Sequence, residues 1–468
     1  MAESRKWVER AVDKQKVVYG VTTGFGAFQN VPIPQGKLLE LQRNLILSHC
    51  AGVGEPFPDD VVRAMMLLRA NALAKGHSGI RVRTVELLLD LLNKRVHPVV
   101  PSQGSVGASG DLAPLSHIAA VLIGHGKATF SGRTMGGSAA LKAAGAKPVV
   151  LEAKEGLALN NGTQAMTAIG ALALHDADVL AETADCVAAM TLEAVKGKST
   201  PFAPEVHRLR PHTGQGVSAA RVRRAIHGSS LVDAIDGDTD GKVQDSYAIR
   251  CVPQVHGASR DALAYVRKVV DTEINSATDN PLIFVDDDRA LSGGNFHGQP
   301  VALAMDFLGL AVAELGNISE RRTAKLMDRH HSAGLPAFLA SNGGIQSGLM
   351  IAQYTAAALV SENKVLIHPA SGDSIPTSAN QEDHVSMGTI AARHAAMVVR
   401  NVRTILAIEM LSAVTALTYR EGKPGKGTRA ALGILEKVVS TRNEDRELTD
   451  EIAGIAELIG SGEFARLD

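Results

Sequence analysis

This 468-residue chain is poor in aromatic residues and in cysteine, and it has no excess of charge of either sign. Aromatic residues make up 3% of the sequence, which argues against a surface that stacks many bases. The 48 Lys and Arg residues nearly balance 49 Asp and Glu residues, so bulk charge predicts neither nucleic-acid nor membrane-surface binding. The three cysteines, Cys50, Cys186 and Cys251, form no CxxC pair and predict a reduced, cytoplasmic protein.

Several sequence signals of membrane, metal and phosphate binding are also missing. No apolar run approaches the ~20 residues that a membrane span needs, and the charged start MAESRKWVER lacks the apolar segment of a signal peptide. His330 and His331 would point in different directions on a helix, and no HExxH spacing occurs. Gly422–Thr428 (GKPGKGT) lacks the spacing of a phosphate loop. We therefore expect no metal, no membrane and no nucleic-acid partner.

What the chain does contain is a set of long segments with helical periodicity. Val82–Val96 places apolar residues on one helix face, and Gln164–Lys196 runs without proline. Such long repeats predict a mainly α fold of bundled helices, with minor β-ribbons in Lys127–Val150 and Leu282–Gly294. Other segments predicted to be helical are Trp7–Val18, Leu38–Leu47, Val61–Ala74, Ala258–Asn275, Pro300–Asp328 and the Pro-free span Asn380–Lys423.

The length of the chain exceeds the size at which single hydrophobic cores usually split. We predict an N-terminal helical region over residues 1–160, which carries a Gly-rich loop. A central long-helix bundle over 161–422 and a short C-terminal helical region over 423–468 follow. Because binding groups gather on loops held by rigid elements, the loops are where chemistry is expected.

The stretch Gly104–Leu115, GSVGASGDLAPL, contains the small-residue tripeptide Ala108-Ser109-Gly110. It predicts a tight loop that leads into a helix, with Asp111 at the positive helix end. A second interpretation is that the Gly110 nitrogen attacks the Ala108 carbonyl, and that loss of two waters, one carrying the Ser109 hydroxyl, leaves an exocyclic methylene. That product accepts electrons, which ordinary side chains do not. The tripeptide alone does not decide between them, since such tripeptides are common.

The remaining loops decide the matter, because their order and spacing resemble those of the aromatic amino acid ammonia-lyases. The resemblance covers roughly Tyr19 to Arg420, and an ordered set of motifs is far more specific than any one of them. The other loops that carry it are Tyr19–Asn30 (YGVTTGFGAFQN), Leu157–Gln164 (LALNNGTQ), Val243–Gln254 (VQDSYAIRCVPQ), Ser292–Gly298 (SGGNFHG) and Ser378–Met387 (SANQEDHVSM).

The resemblance implies a fold, an assembly and a cofactor. The fold is the fumarase/aspartase-like long-helix bundle of these lyases, and the assembly is a homotetramer with active sites shared between subunits. The cofactor is 4-methylidene-imidazol-5-one (MIO), formed autocatalytically from Ala108, Ser109 and Gly110 without a metal or an external group. Two departures from the family stand out. Asn160 replaces a usually apolar residue, and the lead before Tyr19 is shorter than usual.

Matched motif by motif, the resemblance also implies roles for single residues. Tyr19 becomes the base or a proton shuttle, with Glu382 as the other candidate for the base. His49, in LILSHCAG, and Glu382 become the pair that recognises an imidazole ring. Phe296 packs near the electrophile.

The amino-acid head group is assigned to a second set of residues. By the same resemblance, Asn161 surrounds it together with Gln244, Tyr247 and Arg250. Chemistry agrees for Arg250, because a guanidinium group can hold a carboxylate with two hydrogen bonds. A tyrosine base would need a pKa lowered from ~10, by neighbouring cations or hydrogen-bond donors.

The His49/Glu382 pair favours L-histidine as the substrate and trans-urocanate as the product. Glu382 can accept an imidazole N–H, whereas a bare phenyl ring would leave the carboxylate buried and unpaired. The closest alternatives are a phenylalanine/tyrosine ammonia-lyase and a 2,3-aminomutase. A serine hydrolase with Ser109 as nucleophile is disfavoured because GASGD is not a GxSxG elbow. A non-catalytic helical assembly protein is a further alternative.

Overall fold

Helices dominate the computed structural model of the chain, which describes residues 1–234, 243–440 and 444–467. The described helices in the first part of the chain are Ala2–Asp13, Leu38–His49, Asp59–Ala74, Val82–Asn93, Leu112–Leu122, Gly137–Ala143, Glu155–Asn160 and Gln164–Ala194. Those in the rest are Pro204–Arg208, Thr213–Ala225, Tyr247–Arg250, Val252–Ile274, Gln299–Met327, Met350–Leu366, Gly388–Leu417, Lys426–Leu435 and Thr449–Gly460. The prediction of a mainly α fold is confirmed.

Short antiparallel β-ribbons supplement the helices. Lys127–Phe130 pairs with Arg133–Gly136, and Leu282–Phe284 pairs with Arg289–Leu291, so both predicted ribbons are present. Two further pairings are Val53–Pro56 with Pro101–Gln103, and His97–Pro98 with Lys127–Phe130.

The first helix lies earlier in the chain than predicted. It spans Ala2–Asp13 rather than Trp7–Val18, and Gln15 just beyond it has φ 50°. A helix does not continue through a residue in the left-handed region. Trp7 and Val8 lie on its buried face, in a core cluster with Leu38.

The chain forms two compact units, each built from separate stretches of sequence. The first comprises Met1–Leu172, Lys268–Asp306 and Pro369–Arg393, and the second comprises Ala173–Arg267, Phe307–His368 and His394–Asp468. The predicted division at 160 and 422 concerns consecutive segments and stays a prediction.

Within the first unit, the helix Leu38–His49 packs against Leu112–Leu122 and Glu155–Asn160. Their packing gathers several of the loops that carry the motifs. Within the second unit, the helices bury polar side chains as well as apolar ones. Arg322 and Glu409 are both fully buried and form two hydrogen bonds of 2.6 and 2.8 Å.

The helix Gln299–Met327 is long and apolar enough to cross a membrane by length and composition. In this protein, 67% of its most apolar window is buried, as in a core helix. It therefore gives only weak evidence for a membrane span.

Candidate active site

A cavity of about 730 Å³ in the first unit gathers many of the residues that the motifs singled out. Its walls are mostly apolar, and a few polar groups converge on it, as in typical small-molecule sites. The predicted site residues that line it are Tyr19, His49, Ser109, Asn161, Phe296 and Glu382.

The Ala108-Ser109-Gly110 tripeptide and the preceding Gly107 form a tight loop with glycine at its two left-handed positions. Gly107 and Gly110 have φ of 66° and 72°, in the left-handed region. A Cβ atom on Gly110 would lie 2.3 Å from the carbonyl oxygen of Gly162. That oxygen accepts a hydrogen bond of 2.7 Å from the Asp111 amide, the residue after Gly110. Position 110 therefore has no room for a side chain next to its backbone nitrogen. The Gly110 N–H is not the donor to the Gly162 oxygen, because the Asp111 N–H is.

The Asp111 side chain holds the loop in place through buried hydrogen bonds. Its carboxylate is fully buried and accepts hydrogen bonds of 2.8 Å from the Ser105 hydroxyl and from the Met166 amide, and another from the Thr389 hydroxyl. Burial raises the pKa of Asp111, and these donors oppose the rise. Asp111 precedes the helix Leu112–Leu122, but its side chain makes no capping bond there. Its side chain bonds the Met166 amide at the start of the helix Gln164–Ala194, while Asp111 itself lies at the start of the helix Leu112–Leu122, as predicted.

Glu382 lies directly against the loop. Its Oε1 accepts a hydrogen bond of 2.9 Å from the Ser109 hydroxyl, and its Oε2 accepts one of 3.1 Å from the Thr377 hydroxyl. The backbones of Thr377 and Glu382 also pair, across a turn whose residues Ser378–Asn380 all have positive φ. The turn thus holds the carboxylate toward Ser109.

Tyr19 enters the cavity from the first Gly-rich loop. Its phenol oxygen accepts a hydrogen bond of 3.2 Å from the Gly26 amide. Burial raises the pKa of Tyr19, the Gly26 N–H opposes the rise, and the charge of Glu382 adds to it. The expected lowering of this pKa is therefore not found in the single chain, because burial outweighs the one amide donor.

His49 is the last residue of the helix Leu38–His49, and its Nδ1 lies 3.1 Å from the Ser48 hydroxyl oxygen. Burial lowers the pKa of His49, although the charge of Glu382 opposes this. Near neutral pH the imidazole is therefore uncharged and can both donate and accept a hydrogen bond.

Asn161 follows the helix Glu155–Asn160 and is 2% exposed. Its Nδ2 donates to the Asn280 carbonyl oxygen at 3.2 Å and lies 3.4 Å from Asp279 Oδ1. The neighbouring Asn160 is fully buried and donates to the Ser116 hydroxyl at 3.0 Å, outside the cavity lining. Its amide thus takes an interior packing position.

Comparison with known proteins agrees with this geometry. Residues 1–437 match the family described as aromatic amino acid lyase. The histidine ammonia-lyase of Alkaliphilus oremlandii is 56% identical over 462 residues, which cover 98% of this chain and 90% of the relative. This chain belongs to the aromatic amino acid lyase family.

Two solved structures show how closely the lyase fold is shared. The histidine ammonia-lyase from Trypanosoma cruzi superposes with a TM-score of 0.92 at 44% identity, over 100% of this chain and 88% of that one. The tyrosine aminomutase from Streptomyces globisporus gives a TM-score of 0.93 at 40% identity, over 100% and 92%. The predicted family and fold type are therefore confirmed.

Two further predicted site residues of this lyase, Ala108 and Phe296, take different positions. Ala108 is buried in a small cluster with Val385 and Met387. Phe296, in the loop before the helix Gln299–Met327, contributes to the cavity wall.

The predicted head-group residues Gln244, Tyr247 and Arg250 belong to the second unit of the lyase and are not among the residues that line this cavity. Tyr247 is 69% exposed, and the Arg250 guanidinium lies 4.6 Å from its ring centroid. Arg250 also donates to the Asp245 carbonyl oxygen at 2.9 Å.

The sequence analysis did not identify every residue at the cavity. Asn280 lines the cavity, and Asp279 beside it contacts Asn161. The polar run Thr278-Asp279-Asn280 before Pro281 was the available signal, but nothing local indicates which distant loop it meets. Within the described residues, no group of three potential metal ligands is found, and the absence of a metal stays a prediction.

Proposed function

We propose that this protein is a histidine ammonia-lyase, which eliminates ammonia from L-histidine to give trans-urocanate. The observation that carries the proposal is the contact of 2.9 Å between the Ser109 hydroxyl and Glu382, in a cavity that His49 also lines. The named relatives among the aromatic amino acid lyases support the same substrate.

The tripeptide in the cavity fits the formation of an MIO group. The Gly110 nitrogen has no side chain beside it, the loop is held tight by Asp111, and the Ser109 side chain faces the cavity. Ala108, Ser109 and Gly110 would supply the atoms of the group. When present, it supplies an electron sink that makes the amino group of the substrate a better leaving group.

His49 and Glu382 account for the choice of an imidazole. A carboxylate accepts the N–H that an imidazole ring offers, and an uncharged His49 can pair with the other ring nitrogen. A phenylalanine ring offers no donor in place of the imidazole N–H, so the carboxylate oxygen that faces it would stay unpaired, and such unpaired groups discriminate strongly between substrates.

Tyr19 and Glu382 are the two candidates for proton transfer, and we assign them different roles. In the single chain, burial raises the pKa of Tyr19, which favours the protonated phenol. We therefore assign Tyr19 the role of proton shuttle, with the Gly26 amide holding its oxygen in place. Glu382 is then the group that accepts the β-proton.

The head-group assignment leads to a proposal about assembly. Gln244, Tyr247 and Arg250 are absent from the lining of the cavity, and Gln244 and Tyr247 are exposed. We assign them to the active site of another copy of the chain, in a cytoplasmic homotetramer with shared sites.

The substrate is tested by an ammonia-release assay with L-histidine, L-phenylalanine and L-tyrosine side by side. We expect the highest kcat/KM with L-histidine. In that reaction the absorbance of the product should rise as urocanate accumulates. Higher kcat/KM with either of the other two amino acids would refute the substrate assignment.

An aminomutase is the second candidate, because the tyrosine aminomutase of S. globisporus superposes on the whole chain. Chromatography of the same reactions for β-amino acids distinguishes the two. Accumulation of a β-amino acid as the main product would favour the mutase.

A further inference from the structure

Two loops that contribute to the active-site cavity are joined by a histidine that the proposed mechanism leaves without a function. His297 follows Phe296, which lines the cavity, and its Nε2 lies 3.1 Å from the backbone carbonyl oxygen of His384. His384 comes two residues after Glu382, the carboxylate that contacts Ser109. One side chain thus connects the segment of Phe296 to the segment of Glu382.

The two hydrogen bonds of His297 determine which ring nitrogen carries the proton. A carbonyl oxygen is only an acceptor, so Nε2 is the donor toward His384. Nδ1 lies 3.3 Å from the Gln299 amide, which is only a donor, so Nδ1 is the acceptor. The uncharged ring with its proton on Nε2 satisfies both bonds. One nitrogen therefore serves the loop of Glu382, and the other serves the start of the helix Gln299–Met327, where amides lack acceptors within the helix.

The segment that carries Glu382 needs support because its backbone is strained. Ser378–Asn380 have φ between 52° and 67°. Left-handed conformations cost free energy in residues other than glycine, and they persist where surrounding contacts hold them. The backbone pair of Thr377 and Glu382 closes this turn but joins it to no other segment. The bond from His297 supplies a contact from outside the turn.

The residues that follow on both loops converge on Gly107, just before the cofactor-forming tripeptide. The Gly107 carbonyl oxygen accepts a hydrogen bond of 3.1 Å from the Ser386 hydroxyl and one of 3.5 Å from the Gly298 amide. Gly298 follows His297 directly, and Ser386 comes two residues after His384. The bond between the two histidines therefore extends this fixed region toward the cavity.

We propose that His297 is a positioning residue, which acts through the His384 backbone to hold the Glu382 carboxylate where the imidazole ring of the substrate binds. This role rests on the proposed function and adds to it a residue that is not among those lining the cavity. Loss of the Nε2 bond lets the strained turn relax, so the carboxylate no longer keeps its place beside Ser109. Binding of an imidazole ring then weakens, whereas a ligand without that ring does not depend on this carboxylate.

Two substitutions of His297 separate its two bonds. The side-chain nitrogen of glutamine reaches the place of Nε2, so His297→Gln keeps a donor for the His384 oxygen. The shorter asparagine places its oxygen near the position of Nδ1, so His297→Asn keeps an acceptor for the Gln299 amide but cannot reach the loop of Glu382. A residue that only caps the helix would tolerate asparagine better than glutamine, and a positioning residue predicts the opposite order.

The readout is the dissociation constant of two carboxylates that differ in their ring, measured by calorimetric titration. Imidazolepropionate carries the imidazole, and 3-phenylpropionate carries a phenyl ring in its place. We expect His297→Asn to weaken binding of imidazolepropionate roughly threefold to tenfold, the range that loss of one hydrogen bond produces. Binding of 3-phenylpropionate should change less than about twofold, because its ring offers no hydrogen bond to lose. His297→Gln should resemble the unaltered enzyme with both ligands.

A double-variant cycle with Glu382→Ala shows whether His297 acts through Glu382. If it does, His297→Asn should change imidazolepropionate binding by less than about twofold once the carboxylate is gone. His384→Ala is the matched control, since it removes a ring stacked 5.8 Å from that of His297 and keeps the backbone oxygen. Its binding constants should stay within about twofold of those of the unaltered enzyme. Ammonia release from L-histidine by the unaltered enzyme is measured first, so that failure of the proposed function is recognised separately.

Four results would overturn the positioning role of His297. They are equal weakening of both ligands in His297→Asn, unchanged binding of imidazolepropionate in that variant, additive effects in the cycle, and weaker binding in His297→Gln than in His297→Asn. A loss in His384→Ala as large as that in His297→Asn would assign the effect to ring stacking and would also overturn it. If His297→Asn does not fold, His297→Phe keeps the ring, removes both bonds and carries the same expectations.

Discussion

At the scale of single residues, Glu382 is the proposed link between the loop and the substrate. It contacts the Ser109 hydroxyl at 2.9 Å, and its charge influences both Tyr19 and His49. The three side chains thus form one electrostatic unit, and altering the carboxylate should affect turnover more than folding.

Glu382→Gln is the corresponding prediction. The amide keeps the size of the side chain but accepts a proton poorly, so we expect kcat/KM for L-histidine to fall roughly a hundredfold or more. The thermal unfolding midpoint should stay within a few degrees.

Asp383→Asn is the matched control, because the adjacent carboxylate does not line the cavity. Its kcat/KM should stay close to that of the unaltered enzyme. A large drop in the unfolding midpoint of Glu382→Gln with little loss of turnover would indicate a structural role for Glu382.

At the scale of elements, the loop before the helix Leu112–Leu122 depends on glycine. Gly110 has φ 72° and lies against the backbone of Gly162, whereas Gly132, in the turn of a β-ribbon, has φ 75° and open space around it. The two positions share a backbone conformation and differ in crowding.

We therefore predict different outcomes for two glycine-to-alanine substitutions. Gly132→Ala should cost about 1–2 kcal/mol in the free energy of unfolding, the cost of a left-handed alanine, and leave activity intact. Gly110→Ala adds a clash with the Gly162 oxygen and should abolish both loop maturation and ammonia release. Equal behaviour of the two variants would show that crowding at Gly110 is unimportant.

The helix Leu112–Leu122 also contains a pH-dependent contact. His117 Nε2 accepts a hydrogen bond of 3.2 Å from the Gly52 amide, and burial lowers the pKa of His117. Its pKa in the unfolded chain is about 6.5, so below that pH the unfolded chain binds the proton more readily than the folded one. Stability contributed at this site is complete above about pH 6.5 and declines as the pH falls toward the lower folded value.

His117→Gln tests this contact, since glutamine offers an acceptor and does not titrate. Unfolding midpoints of both proteins are measured between about pH 5.5 and 7.5, around the ordinary histidine value. We expect the unaltered protein to lose more stability than His117→Gln as the pH falls. Parallel curves would contradict the assignment.

At this scale, neighbouring residues in the sequence predict the helices and ribbons, but they do not predict contacts between distant segments. The helix Leu38–His49 and the ribbon at Leu282–Leu291 follow from periodicity and turn residues, and they lie where predicted. The contact of Lys154 with Asp279 joins residues 125 positions apart, and no local pattern indicates it. The raised pKa of Tyr19 likewise depends on burial by distant segments.

At the scale of the whole molecule, the proposed tetramer has a direct consequence. If Arg250 serves a cavity that belongs to another copy, then Ser109 and Arg250 of one functional site come from different subunits. Two inactive variants could then complement each other within a mixed assembly.

Ser109→Ala and Arg250→Ala should each be nearly inactive when purified alone. Co-expression with two affinity tags, followed by sequential purification, yields mixed assemblies. We expect these to regain activity at sites that draw each intact residue from a different parent. Mixed assemblies no more active than their parents would contradict shared sites.

The central claim is that the chain makes its electrophile from Ala108, Ser109 and Gly110, and intact-mass spectrometry tests it most directly. The active protein should be lighter than its translated sequence by two water molecules, and a tryptic fragment should assign the loss to this tripeptide. Ser109→Ala should lack the second of these losses and be inactive. Protein of unshifted mass that still releases ammonia from L-histidine would contradict the account.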